Sequence, residues 1–337
     1  MTLFDRDPAR HLPSMNRRTV LKGTAALALS CVGVPGRAAS SPPALGIQLY
    51  TMRVPLAQDL EGTLAALRKM GYAQVETLGM LNHDARSFRA ALDAAGLRAP
   101  SAHIFPKVAQ PLLFKMASGQ MSVDEAWDQI DASMGLDRME GMLADMFEQS
   151  QLMGYQYLVY ASMDSKLLES MEGIRHICAV FRRAGDLCHE HGLNFTWHPH
   201  VQEWGMVEGK PAVERILDGT DPHRVSLELD FFWAAMAKVD LPQFLRRYSG
   251  RIPLGHFKDI AKGIVVPDLG FKNTSEIKNE YFEDAGFGQL DFRVWIPLAR
   301  KAGMRHFFVE RDYSPDPLAS AGRSYGSLRK MMADSEI

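Results

Sequence analysis

The 337-residue sequence has few cysteines, little net charge and no Gly-rich phosphate loop, and each of these absences argues against a class of protein. It has three cysteines, and Cys178 and Cys188 lie in one amphipathic helical pattern at a spacing that suits neither a disulfide nor a metal motif. The formal net charge is only -2 and no Lys/Arg stripe is present, which argues against a nucleic-acid partner. The first predicted strand is not followed by a Gly-rich phosphate loop, so a doubly wound nucleotide-binding fold is disfavoured.

The sequence also lacks a hydrophobic run long enough to form a stable membrane span. Its clearest apolar run, Ala25–Val34, follows the twin arginines Arg17-Arg18 and precedes small residues at 38–40. This order resembles a twin-arginine export signal. We therefore expect residues 1–39 to be a signal peptide and linker, and residues 40–337 to be delivered to the periplasm by the twin-arginine export machinery. An uncleaved anchor is the alternative.

What the sequence does contain is a regular alternation of strand and helix patterns, with 46% hydrophobic residues to form a large core. The predicted strands are Leu45–Tyr50, Tyr72–Thr77, Leu97–Ile104, Tyr155–Tyr160, Asn194–Trp197, Arg224–Asp230, Ile252–Lys258 and Arg305–Glu310. The predicted helices are Asp59–Met70, Ala85–Ala95, Arg138–Met153, Glu172–His191, Val213–Leu217, Leu241–Tyr248, Phe292–Lys301 and one in the tail. Eight such repeats predict an α/β fold, a single (β/α)₈ TIM barrel with its active site at the C-terminal ends of the strands.

Two connections are longer than ordinary loops. Residues 106–136 are Met-rich with a short helical pattern at Val123–Ala132, and residues 260–285 are polar and mixed in charge. Both follow predicted strands, so they would lie on the active face, either as lids or rims or as decoration without a role.

Four side chains of metal-ligand type stand at the ends of four consecutive predicted strands: His198, Asp230, His256 and Glu310. In a barrel these ends meet around one mouth, where imidazole and carboxylate donors suit a divalent ion such as Mn, Zn, Co or Fe. Pro199 ends the fifth strand, so His200 and Glu203 should turn into the same mouth. Each residue alone is explained as well by capping or core hydrogen bonding, and it is their common register that predicts a metal site.

Further polar residues are predicted to line the mouth and to bind a hydroxyl-rich ligand. Gln48 and Tyr50 share one face of the first strand by period two, while the other candidates are Glu76, His103, Lys258 and Trp233. Structural alternatives remain open. Glu76 could pair with Arg53, Lys258 could form a solvated pair with its neighbour Asp259, and Trp233 could be packed in the core.

The ordered motifs GIQLYTMR, GYAQVE, WHPHVQEW, LELDFFW, GHFKD, GFGQLDF and FVERD resemble the sugar phosphate isomerase/epimerase family with the xylose isomerase-like TIM barrel. The resemblance covers about residues 45–328. It implies that His198, Asp230, His256 and Glu310 hold a divalent metal. Many members carry Glu at the first position, and the His-x-His pair followed by Glu203-Trp204 resembles a subgroup of the family.

The resemblance implies a metal-dependent isomerase or epimerase acting on a small-molecule sugar or keto-sugar, by proton transfer next to a carbonyl through an enediolate. Glu310 or Glu203 would be the base, and His200 and Lys258 are further candidates for proton transfer. A 3-keto-glycoside lyase or hydrolase is the runner-up. A non-catalytic periplasmic sugar-binding barrel is the alternative from another class, while endonucleases of this fold need more metal ligands and a basic groove.

Overall fold

Eight parallel strands close into a barrel in the computed structural model, which describes residues 44–268, 270 and 277–334. Each strand pairs with the next along the chain, and the first pairs with the last. The strands are β1 Leu45–Gln48, β2 Gln74–Leu78, β3 Arg98–His103, β4 Tyr157–Tyr160, β5 Asn194–Trp197, β6 Val225–Asp230, β7 Leu254–Phe257 and β8 His306–Val309. The predicted (β/α)₈ barrel is confirmed.

Helices separate the strands and cover the barrel. They are α1 Arg53–Gln58, α2 Leu60–Met70, α3 Ala85–Ala95, α4 Gln110–Ala117, α5 Val123–Ser133, α6 Met139–Met153, α7 Ser165–Leu168, α8 Met171–Glu190, α9 Ala212–Asp218, α10 Phe231–Met236, α11 Leu241–Arg247, α12 Phe292–Lys301 and α13 Pro317–Asp334. Predicted boundaries hold where a cap fixes them, because Asp59 accepts from the Gly62 amide at the start of α2 and Gly71 ends that helix at φ 114°.

The largest apolar core joins the barrel wall to the surrounding helices. A separate small cluster is formed by side chains of β4, β7 and β8: Tyr157, Val159, Leu254 and Phe308. None of the helices within the described residues is long and apolar enough to cross a membrane. The predicted signal, residues 1–39, lies outside the described residues.

The first strand ends earlier than predicted. Residues Leu49–Met52 form a 3₁₀ turn whose first amide donors are met in part by Gln48, which accepts from the Tyr50 amide. The prediction that Gln48 and Tyr50 share a strand face was therefore wrong, since the turn rotates Tyr50 away from the period-two register.

In their described residues, both long connections contain regular structure. The connection at 106–136 contains α4 and α5, and Trp127 of α5 donates from Nε1 to the Tyr50 hydroxyl over 3.0 Å. In the second connection Asp259–Ile260 pairs with Phe282–Glu283. The Asp259 carboxylate accepts from backbone amides of residues 260, 286, 288 and 290, so it fixes this connection and does not form the predicted alternative pair with Lys258.

Candidate active site

Three of the four predicted ligands meet at the C-terminal ends of β6, β7 and β8. We call Asp230, His256 and Glu310 the mouth cluster; each offers one donor atom, and these atoms lie within 4.8 Å of one another. His256 Nδ1 is 3.0 Å from Glu310 Oε2 and 3.9 Å from Asp230 Oδ2. All three side chains are buried, so the barrel has removed them from water and fixed their positions.

A buried lysine stands beside the mouth cluster. Lys258 Nζ is 2.7 Å from Glu310 Oε2, 3.2 Å from Asp230 Oδ2 and 2.6 Å from Asp312 Oδ1. Burial alone would lower the pKa of Lys258, but these carboxylates raise it well above its ordinary value. Lys258 is thus a permanent cation inside a set of acids, and its pairing with Asp259, left open by the sequence, does not occur.

Deeper in the barrel lies a second convergence, which we call the inner cluster: His103, His198, Glu228 and His256. Glu228 Oε2 is 3.2 Å from His103 Nε2, 3.1 Å from His198 Nδ1 and 3.3 Å from His256 Nε2. Glu228 precedes Asp230 by two residues on β6, so the two carboxylates share a face, with Glu228 one step below the mouth. The fourth predicted ligand, His198, therefore touches the inner cluster through Nδ1.

Glu76 joins both histidines of the inner cluster that stack on one another. Its Oε1 is 2.7 Å from His256 Nε2 and 3.1 Å from His103 Nε2, and it also accepts from Gln48 Nε2. Ser101 donates to the other oxygen. The predicted substrate residues Gln48, Glu76 and His103 thus form a hydrogen-bonded layer, and the alternative pairing of Glu76 with Arg53 is wrong, because Arg53 donates to the Tyr50 carbonyl.

The protonation states in this layer are set by the contacts between its carboxylates and its imidazoles. Burial would raise the pKa of Glu76, but His103 and His256 hold it well below its ordinary value. Burial opposes the charge on His103, yet Glu76 and Glu228 raise its pKa to about 9. His198 has its pKa lowered well below the usual range by burial and by His256, so it is a neutral imidazole with a free lone pair.

The mouth residues fit a divalent ion. Among the residues that the structure describes, none makes a hydrogen bond to the buried Asp230 Oδ2, which faces the Lys258 ammonium at 3.2 Å. Asp230 Oδ1 accepts from the amides of Phe232 and Trp233 and so fixes the carboxylate. His256 presents Nδ1 to the mouth while its Nε2 is held by Glu76, the arrangement in which a second carboxylate orients a metal-binding imidazole. Two carboxylates and one imidazole are donors that borderline divalent ions accept.

His200, in the turn after β5, and Trp233 lie close together beside the site. His200 lies next to His198 and Trp233, at ring-centroid distances of 4.9 and 5.4 Å. Burial and Lys258 lower the pKa of His200 to about 3, so it is neutral. Trp233 is buried against Phe232 and Phe282, and the Lys258 ammonium lies 5.0 Å from its ring, so Trp233 walls the site next to that cation.

Glu203 is fully buried, and its Oε2 accepts from the His200 amide over 3.0 Å. No described residue makes a hydrogen bond to its Oε1, and burial raises the pKa of Glu203 to about 8. A carboxyl that keeps its proton at neutral pH holds the turn in place and is a poor proton acceptor. Glu310 differs, because Lys258 and His256 hold its pKa well below its ordinary value and keep it ionised.

The raised pKa predicts a pH-dependent stability. Because the folded-state value of about 8 exceeds the ordinary 4.5, the contribution of protonated Glu203 is complete below pH 4.5 and is lost as the pH rises through 8. Up to about 3–5 kcal/mol is involved. We expect denaturant unfolding at pH 5 and pH 9 to show a smaller difference in Glu203→Gln than in the unchanged chain. The exposed Glu190→Gln is the control, and equal pH dependence in all three would contradict the assignment.

Sequence reasoning missed three residues that the site uses: Ser101, Glu228 and Asp312. Glu228 carried a usable signal, since in RVSLELD it shares the alternation of Asp230, the residue already assigned to the mouth. Ser101 and Asp312 had no such signal, because a serine in a strand and an aspartate in a loop are both common.

Residues 64–331 match the model of the xylose isomerase-like TIM barrel family. The chain belongs to this family. An inosose dehydratase from Bacillus velezensis is 28% identical over 164 residues, which are 48% of this chain and 54% of that protein, so the chain spans about half the length of this curated relative.

Two solved structures share the xylose isomerase-like fold. A sugar phosphate isomerase/epimerase from Parabacteroides distasonis superposes with a TM-score of 0.65 at 20% identity, covering 87% of this chain and 95% of that one. The IolI protein, solved with a bound zinc atom, superposes with a TM-score of 0.56 at 14% identity, covering 87% and 97%. At these identities the likeness concerns the fold.

Proposed function

We propose that this chain is a divalent-metal-dependent isomerase or epimerase of a sugar or keto-sugar, working by proton transfer next to a carbonyl. The observation that carries the proposal is the mouth cluster, where one donor atom each from the buried Asp230, His256 and Glu310 lie within 4.8 Å of one another. The IolI neighbour, which holds zinc in the same fold, supports a metal here. Isomerase and epimerase names among the structural neighbours support the reaction class.

Asp230, His256 Nδ1 and Glu310 would hold the ion, whereas the fourth predicted ligand, His198, lies in the inner cluster. A bound divalent ion supplies Lewis acidity, which polarises a carbonyl and a neighbouring hydroxyl and acidifies the C–H between them. Mn, Zn, Co and Fe are the divalent ions that such a donor set accepts. The chain itself supplies the Lys258 ammonium, which can donate to a substrate oxygen, and Trp233, which walls the site beside that ammonium.

Glu310 is the proposed base. Burial would raise its pKa, but Lys258 and His256 lower it well below its ordinary value, so the carboxylate is ionised, which is the form that a base requires. The rival Glu203 keeps its own proton and bonds to the His200 amide. A neutral His200 beside His198 is the candidate for moving the proton onward.

Elimination is the second candidate, and the relatives favour it. The curated match from Bacillus velezensis is named a dehydratase, and removal of a leaving group β to a carbonyl begins with the same proton abstraction. A 3-keto-glycoside lyase would differ only in the step after proton abstraction, in which the carbanion would expel the leaving group. Glu310 and Lys258 would have the same roles in both reactions.

The test is to incubate the purified full chain, loaded with Mn²⁺, with a panel of aldoses, ketoses, inososes and 3-keto-glycosides in D₂O. Incorporation of deuterium next to the carbonyl, together with an isomeric product in the NMR spectrum, supports the isomerase or epimerase. Release of water or an aglycone favours the lyase. Binding of a sugar with no exchange and no product by any panel member would overturn both.

Metal binding at the mouth gives a direct prediction. Asp230→Ala and His256→Ala each remove a donor of the mouth cluster, and we expect Mn²⁺ content after dialysis to fall by at least about tenfold while far-UV circular dichroism stays unchanged. The exposed Asp240→Ala, at the start of α11, is the control. Full Mn²⁺ occupancy in either mouth variant would refute the assignment.

We also propose export to the periplasm by the twin-arginine machinery, on the strength of Arg17-Arg18 and the apolar run that follows. Replacement of both arginines by lysine should leave the protein in the cytoplasm of an expressing cell, as measured by fractionation and immunoblotting. Delivery of the Lys-Lys variant to the periplasm at the original level would remove the basis for the export signal.

A further inference from the structure

The inner cluster has more short nitrogen–oxygen contacts than it has N–H hydrogens to form hydrogen bonds. Three ring nitrogens, His103 Nε2, His198 Nδ1 and His256 Nε2, make five contacts of 2.7–3.3 Å to the oxygens Glu228 Oε2 and Glu76 Oε1. Each nitrogen carries at most one hydrogen, so at most three of the five contacts can be good hydrogen bonds. In the other two contacts, either two lone pairs face each other or one hydrogen is shared between two oxygens, and both arrangements are less favourable than a hydrogen bond.

The crowding is also one-sided. All three imidazole nitrogens approach the same oxygen of Glu228, whereas its Oε1 is buried with no hydrogen-bond partner in the described part of the chain. A carboxylate that served only to accept hydrogen bonds would lower its free energy by dividing the three donors between its two oxygens. Convergence on one oxygen is instead the arrangement of four ligand atoms around a cation.

The spacing agrees with a specific coordination geometry. Zinc ligands lie about 2.0–2.2 Å from the ion, so a tetrahedron of such ligands has edges of about 3.3–3.6 Å. The three distances from Glu228 Oε2 are 3.1, 3.2 and 3.3 Å, within a few tenths of an ångström of those edges. All four side chains are at least nine-tenths buried, so the protein holds them without competition from water.

We propose that His103, His198, Glu228 and His256 form a second metal site inside the barrel, which takes a zinc-like ion with three imidazole ligands and one carboxylate. This site shares only His256 with the mouth cluster, and it does not depend on the proposed reaction. Three nitrogens and one oxygen suit Zn²⁺ or Co²⁺, whereas the oxygen-rich mouth suits Mn²⁺.

The two sites compete for His256. The inner site uses Nε2 and the mouth uses Nδ1, and a neutral imidazole has a lone pair on only one of its nitrogens. When Nε2 binds an ion, the hydrogen moves to Nδ1 and is donated to Glu310 Oε2, 3.0 Å away. Zn²⁺ bound inside should therefore weaken Mn²⁺ binding at the mouth.

The test compares variants that each belong to one site alone. In the full chain, Zn²⁺ affinity is measured by competition with a chromophoric chelator, and the visible spectrum is recorded after Co²⁺ substitution. We expect His103→Gln and Glu228→Gln to weaken Zn²⁺ binding by about 100-fold or more and to abolish the intense tetrahedral Co²⁺ bands. Asp230→Asn, which keeps the Oδ1 cap of α10, should change Zn²⁺ affinity by less than about threefold.

X-ray absorption of the zinc-loaded chain should count three imidazoles, reduced to two in His103→Gln. Glu228→Gln carries the test if His103→Gln does not fold, since Gln keeps the shape and one oxygen. The proposal is overturned if the unchanged chain binds no Zn²⁺. It is also overturned if Asp230→Asn loses the ion while His103→Gln keeps the affinity and spectrum of the unchanged chain.

Discussion

Glu310→Gln should slow turnover by about 10²- to 10⁴-fold, the usual effect of losing a positioned general base. This corresponds to about 3–5 kcal/mol of activation free energy. Gln keeps the size of the side chain and one acceptor oxygen, but it cannot take up a proton. In the structure Glu310 is ionised and lies 3.0 Å from His256 Nδ1 and 2.7 Å from Lys258 Nζ, so the substitution changes protonation more than shape.

The measurement must separate loss of the base from loss of metal. Exchange of the substrate α-hydrogen with solvent deuterium and Mn²⁺ content are therefore measured together in Glu310→Gln and Glu203→Gln. We expect exchange to fall in the first variant even in molecules that retain Mn²⁺, and to stay near the original rate in the second, whose carboxyl is protonated and bonded to a backbone amide.

Two other results would assign the base differently. If Glu203→Gln abolishes exchange with its metal content unchanged, Glu203 is the base and Glu310 only a ligand. If exchange continues at the original rate in both variants, neither glutamate is the base, and the neutral histidines His198 and His200 become the candidates.

The barrel was predictable because its signals are local and repeated. Each repeat carries its own periodicity and its own caps, such as Asp59 before α2 and Gly96 after α3, so an error in one repeat does not alter the others. The error at Tyr50 arose where a 3₁₀ turn follows β1 directly, since the sequence LGIQLY alternates as a strand through both elements.

The site was predictable only in part, because its depth depends on three-dimensional register. The rule that strand ends meet at one mouth correctly brought Asp230, His256 and Glu310 together. It could not show that His198 Nδ1 turns inward to Glu228, because the direction of a side chain just after a strand depends on the turn that follows it. Such a direction is fixed by packing, which the sequence pattern does not encode.

The pairing of Lys258 was likewise beyond the sequence. A Lys-Asp dipeptide after a strand is typical of a solvated loop, but here Lys258 enters the site while Asp259 binds loop amides on the other side. Alternation makes neighbours point opposite ways, so the two residues share neither surroundings nor partners.

Lys258→Met should destabilise the metal-free chain by about 3–5 kcal/mol, the usual cost of leaving buried charges unpaired. Met has nearly the length of lysine and no charge. Its introduction leaves the carboxylates of Asp230, Glu310 and Asp312 without the ammonium that now lies 2.6–3.2 Å from each of them. These acids would then repel one another in a buried site.

A divalent ion at the mouth should reverse much of this loss. Mn²⁺ supplies positive charge to Asp230 and Glu310, and in the Lys258→Met chain it no longer faces a cation beside the same oxygens. We therefore expect Mn²⁺ to bind the variant more tightly than the unchanged chain, and to stabilise it more at saturation. A residue that only contacted substrate would produce neither effect.

Denaturant unfolding with chelator and with saturating Mn²⁺ measures both quantities. Lys107→Met is the matched control, because Lys107 is exposed and pairs with Asp145 and Glu148 at the surface, where a salt bridge contributes less than about 1 kcal/mol. If Lys258→Met were as stable as this control without metal, or bound Mn²⁺ more weakly than the unchanged chain, Lys258 would not be the counter-ion of the mouth cluster. The expected opposite signs, lower stability with higher metal affinity, follow from one cause: the buried carboxylates of this site outnumber its fixed cations, and Lys258 and a divalent ion compete to balance them.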